Sequence, residues 1–288
     1  MRSNSVDMNA EIDFVNAKCY ITGMTEASCR QPELSSACDG RHRPLDCPRR
    51  DSLKRSPTRA LLTNRLASGI ACHMNGPLPR KAFTAKEWKL IQRLNTPAKV
   101  QAWLTAMPYN WERDGGTMRS FREVVKRNEA HCLEAAVAAA VILEQHAYPP
   151  LLFDLESWDL LDHVIFAFQQ GGLWGSIGRS RDTGLHGRKP VFRNLRQLVW
   201  SYFDPYIDMT GRIKGYGLTS LYDLGNYDWR FNSKNMHKIE DHLRAIPHCK
   251  LRSSDSRYNY WHERYQKYKK RYPEKSPVYY ANRHQWML

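Results

Sequence analysis

The stretch HCLEAAVAAAVILEQH, at residues 131–146, decides the fold of this chain. It is rich in alanine, the strongest helix former, and its apolar residues fall on nearly every side of the predicted helix. A helix without a polar face is buried inside a domain. Pro149-Pro150 ends it, because proline cannot continue a helix. The sequence therefore predicts a buried central helix that begins near Cys132.

Three short runs of strand-forming residues follow this helix, at 151–155, 163–168 and 173–177. Their β-branched and aromatic side chains favour extended structure. Gly171-Gly172 separates the last two runs and predicts a tight hairpin, since glycine readily adopts the positive φ angles of such turns. A buried helix followed by antiparallel strands indicates the α+β class.

Helix-start signals flank this centre. Each upstream signal combines an N-cap residue with a glutamate three positions later or a proline in the first turn. They are Thr84 with Glu87, Thr96 with Pro97, and Ser120 with Glu123. Downstream, the sequence predicts a helix beyond Pro190, a Gly- and Tyr-rich loop region to about residue 232, a helix near 235–243, and a tyrosine-rich C-terminal helix.

The N-terminal segment, residues 1–80, mixes Cys, Ser, Arg and Pro without sustained periodicity. Such a segment buries too little apolar surface to offset its ordering entropy. We predict that it is mostly disordered, or that it lies upstream of a native start at Met74. The remainder then divides into a core domain, 81–206, and a C-terminal helical extension packed on it, 207–288.

The composition allows a packed core and suggests a polyanionic partner. The chain has 288 residues, 42% of them apolar, and a formal net charge of +15. Its densest basic group, at 267–271, is interleaved with tyrosines, which can stack on single-stranded bases. However, Tyr258, Trp261, Tyr265 and Tyr268 would fill one stripe of a helix. The pattern therefore favours a packed helix over nucleic-acid binding, and it does not indicate an oligomeric state.

Hydropathy and cysteine usage exclude several protein classes. No apolar run approaches the ~20 residues of a membrane helix, and the N-terminus lacks the apolar stretch of a secretory signal. We therefore expect a cytoplasmic protein without a membrane partner. The seven cysteines are odd in number and match no compact zinc motif. Neither a disulfide framework, a metal nor a cofactor is predicted.

Cys132 and His163 are the residues best placed for chemistry. Cys132 lies at the first turn of the central helix, where unpaired N–H groups and the helix dipole favour the nucleophilic thiolate. The same N–H groups can hold a developing oxyanion. His163 is the first residue of a predicted strand. The first residue of a strand lies at the edge of the sheet, where an imidazole can face Cys132 as general base. The alternatives are a small core cysteine and a structural histidine.

The order of these pieces resembles the transglutaminase-like superfamily of cysteine enzymes, which have a papain-like fold. A Cys-headed buried helix is followed by a strand, a His-headed strand, and a strand that contains Trp174. The matching stretches are 131–136, 162–166 and 172–177, and two further stretches, 178–192 and 201–206, are similar to bacterial members that lack an assigned substrate. The likeness covers residues 84–206.

The resemblance implies a Cys-His-Asp triad in which Cys132 attacks an amide and His163 moves the proton. By spacing, the orienting aspartate of the family falls at Gly178, which has no side chain. Asp182, four residues further on, is the predicted third member. Asp162 adjoins His163, but in a regular strand it would project to the opposite face.

Two functions follow as hypotheses. The first is a cysteine hydrolase or acyl transferase that acts on the amide bonds of a peptide or isopeptide substrate through Cys132, His163 and Asp182. The second is a catalytically inactive module that keeps the fold and binds nucleic acid or an acidic partner through its basic surface. Fast alkylation of Cys132 near neutral pH favours the first, and salt-sensitive binding to nucleic acid favours the second.

Overall fold

The computed structural model describes residues 76–113, 115–277 and 282–288, which lie within one compact unit, His73–Leu288. Nearly all of the segment predicted to be disordered or non-native, 1–80, therefore lies outside the described residues. No helix of the described part of the chain is long and apolar enough to cross a membrane.

Four helices precede the first strand of this unit, and the remaining helices are mixed with the strands that follow. The helices are α1 (Ala85–Arg93), α2 (Pro97–Ala106), α3 (Phe121–Arg127), α4 (Cys132–Glu144), α5 (Leu195–Tyr206), α6 (His237–Ala245), α7 (Asp255–Arg271) and α8 (Arg283–Trp286). The strands are β1 (Leu151–Ser157), β2 (His163–Gln170), β3 (Leu173–Ile177), β4 (Arg188–Phe192), β5 (Ile213–Ser220) and β6 (Cys249–Lys250). Short 3₁₀ turns lie at Arg80–Ala82, Thr183–Leu185 and Leu221–Leu224.

The six strands form one antiparallel sheet in the order β4-β3-β2-β1-β5-β6. The predicted α+β class is therefore confirmed, whereas its assignment to the papain-like fold stays a prediction. The predicted hairpin joins β2 to β3, with φ of +59° at Gly171 and +76° at Gly172. These positive angles explain why glycine occupies both turn positions.

The sheet separates two hydrophobic cores. Along β2, Val164 and Phe166 contribute to the core around α4, while Ile165 and Ala167 contribute to the core around α5. Side chains of a strand alternate between its faces, so a strand buried on both sides reads as a continuous apolar run. The predicted central helix is confirmed, since α4 is buried along nearly its whole length.

A buried ion pair fixes the C-terminal end of α4. Arg230 and Glu144 have fully buried side chains, with Nε to Oε1 at 2.7 Å and a second hydrogen bond of 2.9 Å. Burial raises the pKa of Glu144, and the Arg230 guanidinium opposes that rise. The Arg230 guanidinium also stacks on Trp229, with its central carbon 3.9 Å from the ring centroid. This bidentate contact holds the helix at a defined position along its axis.

Two of the three predicted helix starts carry the expected caps. Thr84 forms a reciprocal capping box at α1, and the Thr96 hydroxyl accepts from the third N–H of α2. At α3 the predicted capping box is wrong. Ser120 is the N-cap residue, but its buried hydroxyl has no hydrogen-bond partner within the described residues. The helix begins there because Phe121 and Val124 are buried in the α4 core.

The predicted loop region before residue 232 contains a strand, β5, which pairs with β1 along its whole length. Glycines at 215 and 217 interrupt the run of strand-forming residues from which a strand is predicted. A Cβ at Gly217 would lie 2.9 Å from Ile246 Cδ1 and 3.1 Å from His248 Nε2. The glycines therefore make room for the chain that crosses this face of the sheet. The C-terminal part, 207–288, supplies β5 and β6 to the sheet and is not only a helical extension.

The C-terminal helix α7 packs as predicted. Tyr265 is buried, and Tyr258 and Trp261 pack against the core around α5. These residues lie three or four positions apart and share one face of the helix. The interpretation of this aromatic stripe as a packing surface is confirmed for these three residues.

Candidate active site

The N-terminus of α4 presents Cys132 at its first position. His131 precedes it as the N-cap residue with an extended backbone, and its N–H donates to Glu134 Oε2 at 3.1 Å. Cys132 is partly exposed, whereas the rest of the first turn is buried. Cys132 is thus only partly covered, at the end of the helix where unpaired N–H groups stabilise negative charge.

His163 opens β2 and is held in one tautomer. The residue is buried, and its Nε2 lies 3.0 Å from the Leu185 carbonyl oxygen. A carbonyl only accepts hydrogen bonds, so Nε2 carries the hydrogen. In the neutral ring this leaves Nδ1 as an acceptor for the thiol proton. The structure places the ring near enough to Cys132 to lower the pKa of the thiol.

His131 supplies a second imidazole at the thiol. Its Nε2 donates to the Thr117 carbonyl at 2.8 Å and lies 3.5 Å from Glu134 Oε1, whose side chain is fully buried. Burial alone would lower the pKa of His131. The hydrogen bond with Cys132 and the negative charges of Cys132 and Glu134 instead raise it to about 9. The imidazole is therefore cationic at neutral pH.

These two histidines ionise the thiol. Burial alone would raise the pKa of Cys132, but hydrogen bonds from His131 and His163, together with their positive charge, lower it to about 5. A cysteine thiol ordinarily titrates near 9.0. At neutral pH Cys132 is therefore a thiolate beside the His131 imidazolium, which is the nucleophilic form.

Asp182 does not join this site. Its backbone N–H donates to Ser180 Oγ at 3.2 Å, and no hydrogen bond connects its carboxylate to His163 within the described residues. The carboxylate instead lies near Tyr265, where burial and the charge of Asp182 raise the pKa of the phenol. Asp162 also turns away from the imidazole, since its Oδ1 accepts from the Ser157 N–H at 2.7 Å.

Gly178 lies beside the imidazole, and a backbone carbonyl fills the neighbouring space. A Cβ at Gly178 would lie 2.8 Å from Ile165 Cγ2, 3.2 Å from the Leu185 carbonyl oxygen and 3.6 Å from His163 Nε2. That carbonyl orients the ring in place of a carboxylate. It fixes the tautomer as an aspartate does, but without a net charge it stabilises an imidazolium less.

The loop that carries this carbonyl is clamped by Gln101 of α2. The amide Oε1 accepts from the N–H groups of Gly178 at 3.0 Å and Gly187 at 3.1 Å, and Nε2 donates to the Gly178 carbonyl at 2.9 Å. A Cβ at Gly187 would collide with Gln101 Oε1. The buried Arg188 donates to the carbonyls of Gly184 at 2.8 Å and His186 at 2.6 Å, on either side of residue 185. The carbonyl is thereby fixed from both ends of the loop.

Cys132 and His163 are predicted as a pair from the sequence, whereas these supporting groups are not. His131 adjoins Cys132 in the stretch that defines the central helix, so its position was an available signal. Gln101 gave no signal, because its partners lie 77 and 86 residues away. No cluster of three or more His, Cys, Asp or Glu side chains within the described ranges is suited to hold a metal ion.

No protein-family model matches the sequence, and no curated protein matches it either. The resemblance to the transglutaminase-like superfamily therefore stays a prediction that rests on the order of the motifs.

Proposed function

We propose that this protein is a cysteine-dependent hydrolase or acyl transferase that acts on amide bonds, with a transglutaminase-like arrangement of a papain-like fold. One observation carries the proposal. A partly exposed cysteine lies at the N-terminus of a buried helix near two imidazoles, which lower its pKa to about 5. A structural cysteine of an apolar core has no such environment, and burial there raises its pKa.

The reaction proceeds through a thioester. Cys132 Sγ attacks the amide carbonyl carbon, forming a C–S bond while the π electron pair moves to the carbonyl oxygen. The oxyanion collapses, the C–N bond breaks, and His163, which has accepted the thiol proton on Nδ1, gives that proton to the leaving nitrogen. His163 then takes a proton from water or from an amine, which attacks the thioester and restores the thiolate.

The surroundings of the thiol support this chemistry. Helix N–H groups at the first turn of α4 stabilise the oxyanion, and the Leu185 carbonyl keeps His163 in the productive tautomer. A peptide or isopeptide substrate would reach Cys132 from solvent. A reduced thiol is the working form, which agrees with the cytoplasmic location predicted from the sequence.

The rate of iodoacetamide labelling against pH tests the proposal, with each labelled cysteine identified by peptide mass spectrometry. Cys249 is partly exposed and serves as an internal comparison within the same molecule. We expect Cys132 to label rapidly well below pH 8, because it remains a thiolate there. In His163→Ala the labelling profile of Cys132 should shift towards higher pH, since one of the two positive groups is gone.

Labelling of Cys132 at the same slow rate as Cys249 at every pH, in protein shown to be folded, would contradict the proposal. Nucleic-acid affinity that falls steeply with added salt would then favour the binding module considered from the sequence.

A further inference from the structure

A hydroxyl group beside the thiol has no role in the reaction so far. The Tyr109 ring is half-buried, and its hydroxyl makes no hydrogen bond within the described residues. Cys132 is close enough that the thiolate charge, after burial, is the main cause that raises the pKa of this phenol. The hydroxyl therefore keeps its proton and is a hydrogen-bond donor throughout the working pH range.

The backbone holds Tyr109 against the segment that leads into α4. The Asn110 N–H donates to the Ala130 carbonyl at 3.2 Å, and the Ala130 N–H donates to the Pro108 carbonyl at 3.3 Å. These two bonds form a parallel bridge between Tyr109 and Ala130, two residues before Cys132. The Asn110 side chain adds a third connection, since its amide donates to Glu134 Oε2 at 3.0 Å.

Side chains fix the ring as well. The Arg179 guanidinium lies over it, 5.5 Å from the centroid, and donates to the Met107 carbonyl at 3.0 Å. Trp111 contacts it edge-on, with 5.2 Å between ring centroids. Tyr109 is therefore a donor whose position is set before any substrate arrives, which is the requirement for electrostatic stabilisation of a transition state.

We infer that Tyr109 is a catalytic residue whose hydroxyl donates a hydrogen bond to the oxyanion formed when Cys132 attacks a carbonyl. This inference rests on the proposed function. The helix N–H groups supply the other donors to the same oxygen, so Tyr109 adds a side-chain donor to a site otherwise built from backbone.

The test compares two reactions of the same thiol, in wild type and in Tyr109→Phe. With p-nitrophenyl acetate, Sγ attacks the carbonyl carbon, an oxyanion forms, and its collapse breaks the ester C–O bond and releases p-nitrophenolate. With iodoacetamide, Sγ displaces iodide from a saturated carbon and no oxyanion forms. Tyr260→Phe is the matched control, because Tyr260 is an exposed residue of α7.

We expect Tyr109→Phe to slow acylation by p-nitrophenyl acetate by about 100-fold, the usual effect of removing one oxyanion donor, and to leave alkylation by iodoacetamide unchanged. Tyr260→Phe should leave both rates unchanged. An equal loss of rate in both reactions would mean that Tyr109 acts on the ionisation of Cys132. An unaltered acylation rate would mean that Tyr109 has no role. Either result overturns the inference while the proposed function stands. A wild-type Cys132 that reacts slowly with both reagents would overturn both.

Discussion

Replacement of His131 by glutamine tests the electrostatic origin of the reactive thiol. His131 and His163 together hold the pKa of Cys132 at about 5 against an ordinary value near 9.0, and burial works against both. Removal of one of the two imidazoles should cancel roughly half of this lowering, which moves the pKa to about 7. The hydrogen bond from His163 Nε2 to the Leu185 carbonyl remains intact in this variant.

A higher pKa has two opposite effects on the rate of alkylation. At about pH 5.5 the wild type is about three-quarters thiolate and the variant about 3%, a loss of roughly 25-fold. A thiolate of higher pKa is also the better nucleophile, and with a Brønsted slope of 0.4–0.5 two pKa units make it roughly eightfold faster. His131→Gln should therefore label about threefold more slowly than wild type at about pH 5.5 and several-fold faster at about pH 8, with the two profiles crossing near pH 6.

The assay measures iodoacetamide rate constants at Cys132 across this range by peptide mass spectrometry. His146→Gln is the matched control, because His146 follows the other end of α4, where its Nε2 contacts the Ile91 carbonyl at 2.9 Å. Its profile should coincide with that of the wild type. Coincident profiles for His131→Gln and wild type would refute the reasoning, as would a variant that reacts more slowly at every pH while remaining folded.

Three further substitutions test residues that hold the site and its helix in position. Gln101→Ala leaves the buried N–H groups of Gly178 and Gly187 without a hydrogen-bond acceptor. The free energy of unfolding, measured in urea, should therefore fall by at least about 2 kcal/mol. Gly178→Asp introduces the aspartate that the family resemblance implies. It should lower the melting temperature and leave alkylation no faster, because Ile165 Cγ2 and the Leu185 carbonyl already fill the space. Overpacking of this kind costs about 1–3 kcal/mol. Arg230→Met leaves Glu144 buried without its ionic partner and should lower the free energy of unfolding in urea by about 3–5 kcal/mol. Replacement of both residues by methionine should lower it less. Equal losses in the two variants would contradict this account of the pair.

The central features of the fold could be predicted because they depend on local patterns. The apolar run that forms α4, the glycine pair of the β2-β3 hairpin and the caps of α1 and α2 all act through neighbouring residues. β5 could not be recognised, because Gly215 and Gly217 interrupt the strand pattern. A side chain at Gly217 would collide with the segment that crosses the sheet there. Tertiary packing, and not local propensity, decides that segment.

The same division applies to the candidate site. Cys132 and His163 each follow a recognisable element boundary, so their order along the chain could indicate a pair. The group that orients His163 could not be identified, because every residue type has a backbone carbonyl. Asp182 carries a suitable side chain, yet its carboxylate lies near Tyr265. The position expected from spacing, Gly178, lies beside the ring but has no side chain.

The use of a backbone carbonyl as the orienting group changes which mutations the site can tolerate. No single substitution at residue 185 removes that oxygen, whereas one base change can abolish an orienting aspartate. Substitutions at other residues then become the damaging ones: at Gln101, and at the glycines 178 and 187 that shape the loop, none of which gives a side chain to the thiol or the imidazole. Among relatives of this chain, we therefore expect an invariant loop scaffold around residue 185, where any apolar side chain that fits the core around α5 suffices. A search for catalytic triads by side-chain identity would pass over them.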